Sequence, residues 1–134
     1  MPNVRHLNQE KYEISKNRFR EIFYYCLQYP EWKEELKHKD DTVKGTRITG
    51  MPLSTSREDA TVNLAIRRSE LQKKCELIER IAAEADEELH PYILKAVTED
   101  LSFSDLKLSV NIPCERDMYY DRRRRFYWLM DKNL

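Results

Sequence analysis

"LSFSDLKLSVNIPCERDMYYDRRRRFYWLM", residues 101–130, decides how the rest of the chain is read. Ser102 or Ser104 can cap a short helix that runs through Val110, because a serine oxygen accepts from the orphan backbone donors of a first turn. Leu101 and Phe103 precede that helix, and Leu106 and Val110 fall on its inner face. Asn-Ile-Pro at 111–113 interrupts the pattern, since proline lacks the donor that a helix interior needs. From Cys114 a long final helix follows, with Glu115 and Asp117 placed at its positive N-terminal end. Ile112 sits in the turn and Met118 is expected to open the core face of the long helix. Helix, tight turn, helix with this apolar spacing is the pattern of a helix-turn-helix unit, whose second helix enters the major groove of DNA.

Arg122 to Arg125 are four consecutive arginines, and a helix advances about 100° per residue. They cannot all point one way. Met118, Tyr119, Phe126, Leu129 and Met130 fall within one arc of about 120°, which is expected to be the buried face. Arg116, Asp117, Tyr120, Arg123, Arg124 and Tyr127 fall opposite. Arg122 is expected on the core side, laying its stem on apolar surface or pairing with a carboxylate, with Arg125 at the edge. The candidate DNA-contact set is therefore Ser102, Ser104 and Lys107 on the short helix, with Arg116, Asp117, Tyr120, Arg123, Arg124 and Tyr127 on the long one. Interleaved tyrosines suit phosphate and sugar contact. The competing reading is a solvated helix face carrying a charged stripe.

Working outward, the middle of the chain carries a longer pattern. Leu64, Arg68, Leu71, Cys75, Ile78, Ala82, Ala85 and Leu89 alternate four and three apart, and all but Arg68 are apolar. This heptad-like seam predicts a long helix over 58–89, with Ser56 before it and Asp59 three residues later in capping-box spacing. It serves either antiparallel packing against the first helix of the same chain or a homodimeric coiled coil. Pro91 marks the start of a further short helix, with Tyr92, Ile93, Ala96 and Val97 on its apolar face. Near the N-terminus, Tyr12, Phe19, Ile22, Cys26 and Tyr29 recur at three- and four-residue steps, broken only at Ser15. A helix from about Asn8 to Leu36, kinked or broken at Pro30, is expected. Both glycines, Gly45 and Gly50, lie in a loop over 37–57. The organisation is thus an N-terminal helical segment (1–36), a linker (37–57), a packing or dimerisation helix (58–89) and a helix-turn-helix unit (90–134).

The fold class that follows is all-α: long helices forming an N-terminal hairpin or coiled coil, then the helix-turn-helix. Length suits one domain of ordinary size. The chain is 40% hydrophobic and 36% charged, with mean hydropathy −0.82, which fits helices with wide polar faces. Two glycines are too few for a sandwich or a phosphate-binding loop fold. Lys and Arg number 24, as do Asp and Glu, so indiscriminate coating of nucleic acid is disfavoured while a local basic patch is not. Cys26, Cys75 and Cys114 are isolated, without metal-ligand or disulfide spacing, and no cofactor is implied. Neither a leader pattern nor an apolar run near 18 residues is read, so a cytoplasmic protein without membrane contact is expected. No acid/base pair stands out, and His6, His38 and His90 are isolated, so no enzyme site is read. Cys114 lies near a helix start, where a thiol pKa can fall, but without a His or Asn partner it reads as a packed turn residue.

"SFSDLKLSVNIPCERDMYYDRRRRFYWLMDK" resembles the C-terminal region of phage transcriptional regulators of the RinA/ArpU type, whose helix-turn-helix is similar to region 4 of sigma-70 factors. The carriers are Ser-Phe before the short helix, Ile-Pro-Cys in the turn, and the aromatic and arginine run after it. "REDATVNLAIRR", residues 57–68, resembles the segment that begins the long middle helix of such regulators. One departure is the six-residue step from Ile112 to Met118, one longer than sigma-like units use between equivalent core positions. The resemblance implies a sequence-specific regulator of late-gene type that binds double-stranded DNA. Two alternatives stand beside it: a small terminase-like DNA-packaging subunit, and an adaptor that docks on RNA polymerase without touching DNA.

Overall fold

The computed structural model describes residues 12–38 and 54–134, with side chains from Asp59 onward in the second segment. Helix α1 spans Lys16–Leu27 and α2 spans Tyr29–Lys37. Ser15, the residue that breaks the apolar series, is the N-cap: its hydroxyl accepts the Arg18 N–H at 3.2 Å. The helix expected from Asn8 therefore begins later, with 12–15 outside it and 8–11 outside the described residues. Pro30 breaks the run as expected and sits in the first turn of α2, where its missing donor costs nothing.

Helix α3 spans Ser54–Ala85. Ser56 lies inside it, so the capping box expected at Ser56 is not its start. The expected loop of 37–57 is shorter at both ends, and 39–53 lie outside the described residues. The helix also stops before Leu89. Asp86 ends it by accepting the N–H groups of Glu88 and Leu89 at 2.9 and 2.8 Å, which satisfies donors at the entry to the next helix. Helix α4 spans His90–Glu99 with Pro91 in its first turn, α5 spans Phe103–Val110, and α6 spans Arg116–Asn133. The fold is all-α, with no strand among the described residues.

The seam of α3 is filled from within the chain. Leu71, Cys75, Ile78, Ala82, Ala85 and Leu89 are buried, joined by Ile81, which the four-three count passes over. They pack chiefly against α2, α4 and α6, and α2 is the part of the expected first helix that lies from Pro30 onward. It is α2 that runs antiparallel to α3: Lys33 meets Glu79 at 3.0 Å, while Glu35 meets Arg67 at 2.9 Å. Arg68, the polar member of the seam, donates to the Leu36 carbonyl at 3.0 Å. A homodimer along α3 would have to use another face. Helix α1 lies instead on α6, through Arg18 to Asp131 at 2.8 Å and Phe19 against Tyr127 at 4.9 Å between ring centroids. No helix among the described residues is long and apolar enough to cross a membrane.

Candidate nucleic-acid interface

Helix α5 starts by a full capping box. The Asp105 N–H donates to the Ser102 hydroxyl at 3.1 Å, and the Ser102 N–H donates to the Asp105 carboxylate at 3.0 Å. The Ser102 backbone donor holds the Asp105 carboxyl below its ordinary range. Ser102 thus has a local structural task, while Ser104 is exposed. Both turns around α5 use left-handed residues of the types that tolerate that region: Asp100 at φ 53° ends α4 and Asn111 at φ 50° ends α5. The Ile112 N–H then reaches back to the Leu106 carbonyl at 3.4 Å, and its side chain is fully buried. Lys107 is exposed and donates to the Ile112 carbonyl at 3.1 Å, tying α5 to the turn.

The buried face of α6 consists of Tyr119, Tyr120, Arg123, Phe126, Tyr127 and Met130. It is turned by roughly 80° from the face expected on the sequence. Met118 is 41% exposed and Leu129 only half-buried, so neither centres the core face. Tyr120, Arg123 and Tyr127, expected outward as DNA contacts, are core residues. Weighing tyrosine and arginine as polar misplaces them, because both bury a long apolar body and need only the tip satisfied. The step from Ile112 to the next core position of α6 therefore ends at Tyr119 and not at Met118. On α5, Leu106 is buried as expected but Val110 is 39% exposed.

Arg123 is wholly buried, and its guanidinium ends on the α4–α5 turn. Nη1 donates to the Leu101 carbonyl at 2.5 Å and to the Tyr119 hydroxyl at 2.8 Å, and Nη2 meets Asp100 at 3.2 Å. The Tyr119 hydroxyl donates in turn to Leu101 at 2.6 Å, and the Tyr120 hydroxyl accepts the Phe103 N–H at 3.3 Å. Burial works against the charge on Arg123, yet Tyr127 and Tyr119 beside it hold its pKa above the ordinary value. Burial pushes the Tyr119 phenol up to about 12 against the pull of Arg123. Arg122 is half-buried and pairs with Asp86 at 2.9 Å and with Asp121, the carboxylate partner that its position allows.

What remains at the surface is a smaller set. Arg116 and Asp117 are exposed in the first turn of α6, and the Arg116 guanidinium lies 5.4 Å from the centroid of the Phe103 ring. Arg124 and Arg125 are half-buried and have no carboxylate partner among the described residues. Arg125 lines an open cleft with Asp86, Glu87, Glu88 and Arg122. Of the expected contact residues, Ser104, Lys107, Arg116, Asp117 and part of Arg124 are thus accessible. Leu108, 89% exposed, is an outward residue that the sequence reading passes over. Burial raises the Cys114 thiol, against the pull of Lys107, which fits a packed turn residue. Sequence reasoning misses Arg123 as an anchor. The signal is nonetheless there: Tyr119, Arg123, Phe126 and Met130 form a four-three-four stripe with one arginine in it, as Arg68 does in the seam of α3.

No protein-family model, no curated protein and no solved structure matches the chain.

Proposed function

We propose that the chain is a sequence-specific, DNA-binding transcriptional regulator of phage or prophage late-gene type, with α5 and α6 as its helix-turn-helix. The observation that carries this reading is the division of charge in residues 90–134. Lys95 is paired with Glu99, Arg122 with Asp86 and Asp121, and Arg123 with Asp100. Lys107, Arg116, Arg124 and Arg125 have no carboxylate partner among the described residues. Asp105 is occupied by its cap and Asp131 by Arg18. Glu115 and Asp117 are exposed and also without a basic partner among the described residues, so they offset part of this charge; the local surplus of base that remains does not show in the chain's net charge of zero, and such charge is what engages phosphates. The capped α5, the turn closed on buried Ile112 and the exposed first turn of α6 suit entry into a major groove.

Selection of bound sequences from a random duplex pool, using the full chain, tests this. The expected result is an enriched motif of a few base pairs. A second reading, an adaptor docking on RNA polymerase, is favoured by one observation: Leu108, Val110 and Met118 are all exposed apolar residues of the same unit. Retention of no duplex together with capture of purified polymerase would replace the first reading by the second.

A further inference from the structure

We propose that Arg116 determines sequence specificity by reading a guanine, and that the Phe103 ring holds it ready to do so. This rests on the DNA-binding reading above and adds which base is read, by which side chain, and what positions it. Arg116 is the first residue of α6, where a recognition helix presents side chains to base edges. Its guanidinium stands over the Phe103 ring at 5.4 Å. Glu115 and Asp117 flank it in sequence, yet neither pairs with it, and no hydrogen bond occupies its N–H groups among the described residues. A cation–π contact uses none of the guanidinium's hydrogen-bond donors, and that free fork matches the O6 and N7 acceptors of guanine.

Phe103 is itself fixed. It is the first residue of α5, its backbone N–H donates to the Tyr120 hydroxyl at 3.3 Å, and its ring packs against Tyr119 at 6.0 Å between centroids. The platform is therefore built from α5 and the buried face of α6, and its orientation follows the helix-turn-helix joint. An arginine ordered before binding loses less freedom on contact than one free in solvent. The Phe103 ring thus acts as a positioning group without touching DNA.

The test compares wild type, Arg116→Ala, Arg116→Lys, Phe103→Leu and Phe103→Tyr by selection from random duplex, by affinity at two salt concentrations, and by melting temperature. Wild type is expected to enrich guanine at one position. Arg116→Ala should lose that preference by about 5- to 150-fold with other positions unchanged. Arg116→Lys should keep the salt dependence and lose the preference, because an ammonium lacks the bidentate fork. Phe103→Leu should weaken the guanine preference, and Phe103→Tyr should retain it at an equal melting temperature. An unchanged motif in Arg116→Ala overturns the proposal while leaving DNA binding intact. So does a loss spread evenly over all sequences, which marks a phosphate contact. A guanine preference kept by Phe103→Leu removes the role of the ring. Absence of duplex binding by wild type sinks the DNA reading and this proposal with it.

Discussion

A guanidinium taken out of water costs several kcal/mol unless its protons are received. At Arg123 the acceptors are the Leu101 carbonyl, the Tyr119 hydroxyl and Asp100, all gathered at the α4–α5 turn. Arg123→Met should therefore lower stability by about 3 kcal/mol, read as a shifted urea midpoint. Arg125→Ala, which loses no carboxylate partner among the described residues, should change it by less than about 0.5 kcal/mol. Asp86 gives a pH test. Burial alone would raise its carboxyl, but the Leu89 N–H, Arg122 and the Glu88 N–H lower it below the ordinary value. A carboxyl lowered on folding contributes fully above its unfolded pKa of about 3.9, and the contribution is lost as pH falls through the folded value. The melting temperature of wild type should thus fall more steeply below about pH 4 than that of Asp86→Asn. At this scale the sequence was half legible. The pairing of Arg122 follows from its angle on the helix, whereas Arg123 shows only as one arginine within an apolar stripe, and the acceptors that permit its burial, Asp100 and the Leu101 carbonyl, do not show in the sequence.

Helix α5 is short, so its cap matters more than it would to a long helix. Ser102→Ala should cost about 1 kcal/mol, measured by chemical denaturation. Asn111→Ala places a Cβ in the left-handed region without the local bonding of asparagine and should cost roughly 1–2 kcal/mol. Helix α6 tests its own rotation. Phe126 is fully buried, and Phe126→Ala should cost roughly 3–5 kcal/mol. A loss near zero there would contradict the face described. Proline marks two boundaries well, the start of α4 at Pro91 and the break at Pro30, whereas serine signals divide: Ser102, one of two candidates, caps α5, while Ser56 lies inside α3. The start of α1 does not show in the apolar series, because Ser15 is its cap and not a flaw in the stripe. The face of α6 does not show because Tyr120, Arg123 and Tyr127 weigh as polar there while Tyr119 weighs as apolar, although all four bury an apolar body.

Across the whole molecule, α6 is shared. It packs on α1 and α3 as well as on α4 and α5, with Phe19 on the buried Tyr127, and ion pairs at the margin of that face, Arg18 with Asp131 and Arg122 with Asp86 just beyond α3. A fragment of residues 90–134 removes those covers and leaves a surface too small to sustain a core. It should show no cooperative thermal transition by circular dichroism, and a sharp, high-melting transition would contradict this. The partition of the long seam could not be read from its period, because the same apolar stripe serves a partner helix of the same chain or of another. The most direct test of the central claim is the salt dependence of duplex binding by the full chain. Log affinity against log salt should be linear for wild type. Arg124→Ala and Arg125→Ala should each reduce the slope by about one if each holds a phosphate, with melting temperatures close to wild type. A wild-type protein that binds no duplex at about 50 mM salt, or whose binding is indifferent to salt, would contradict the account.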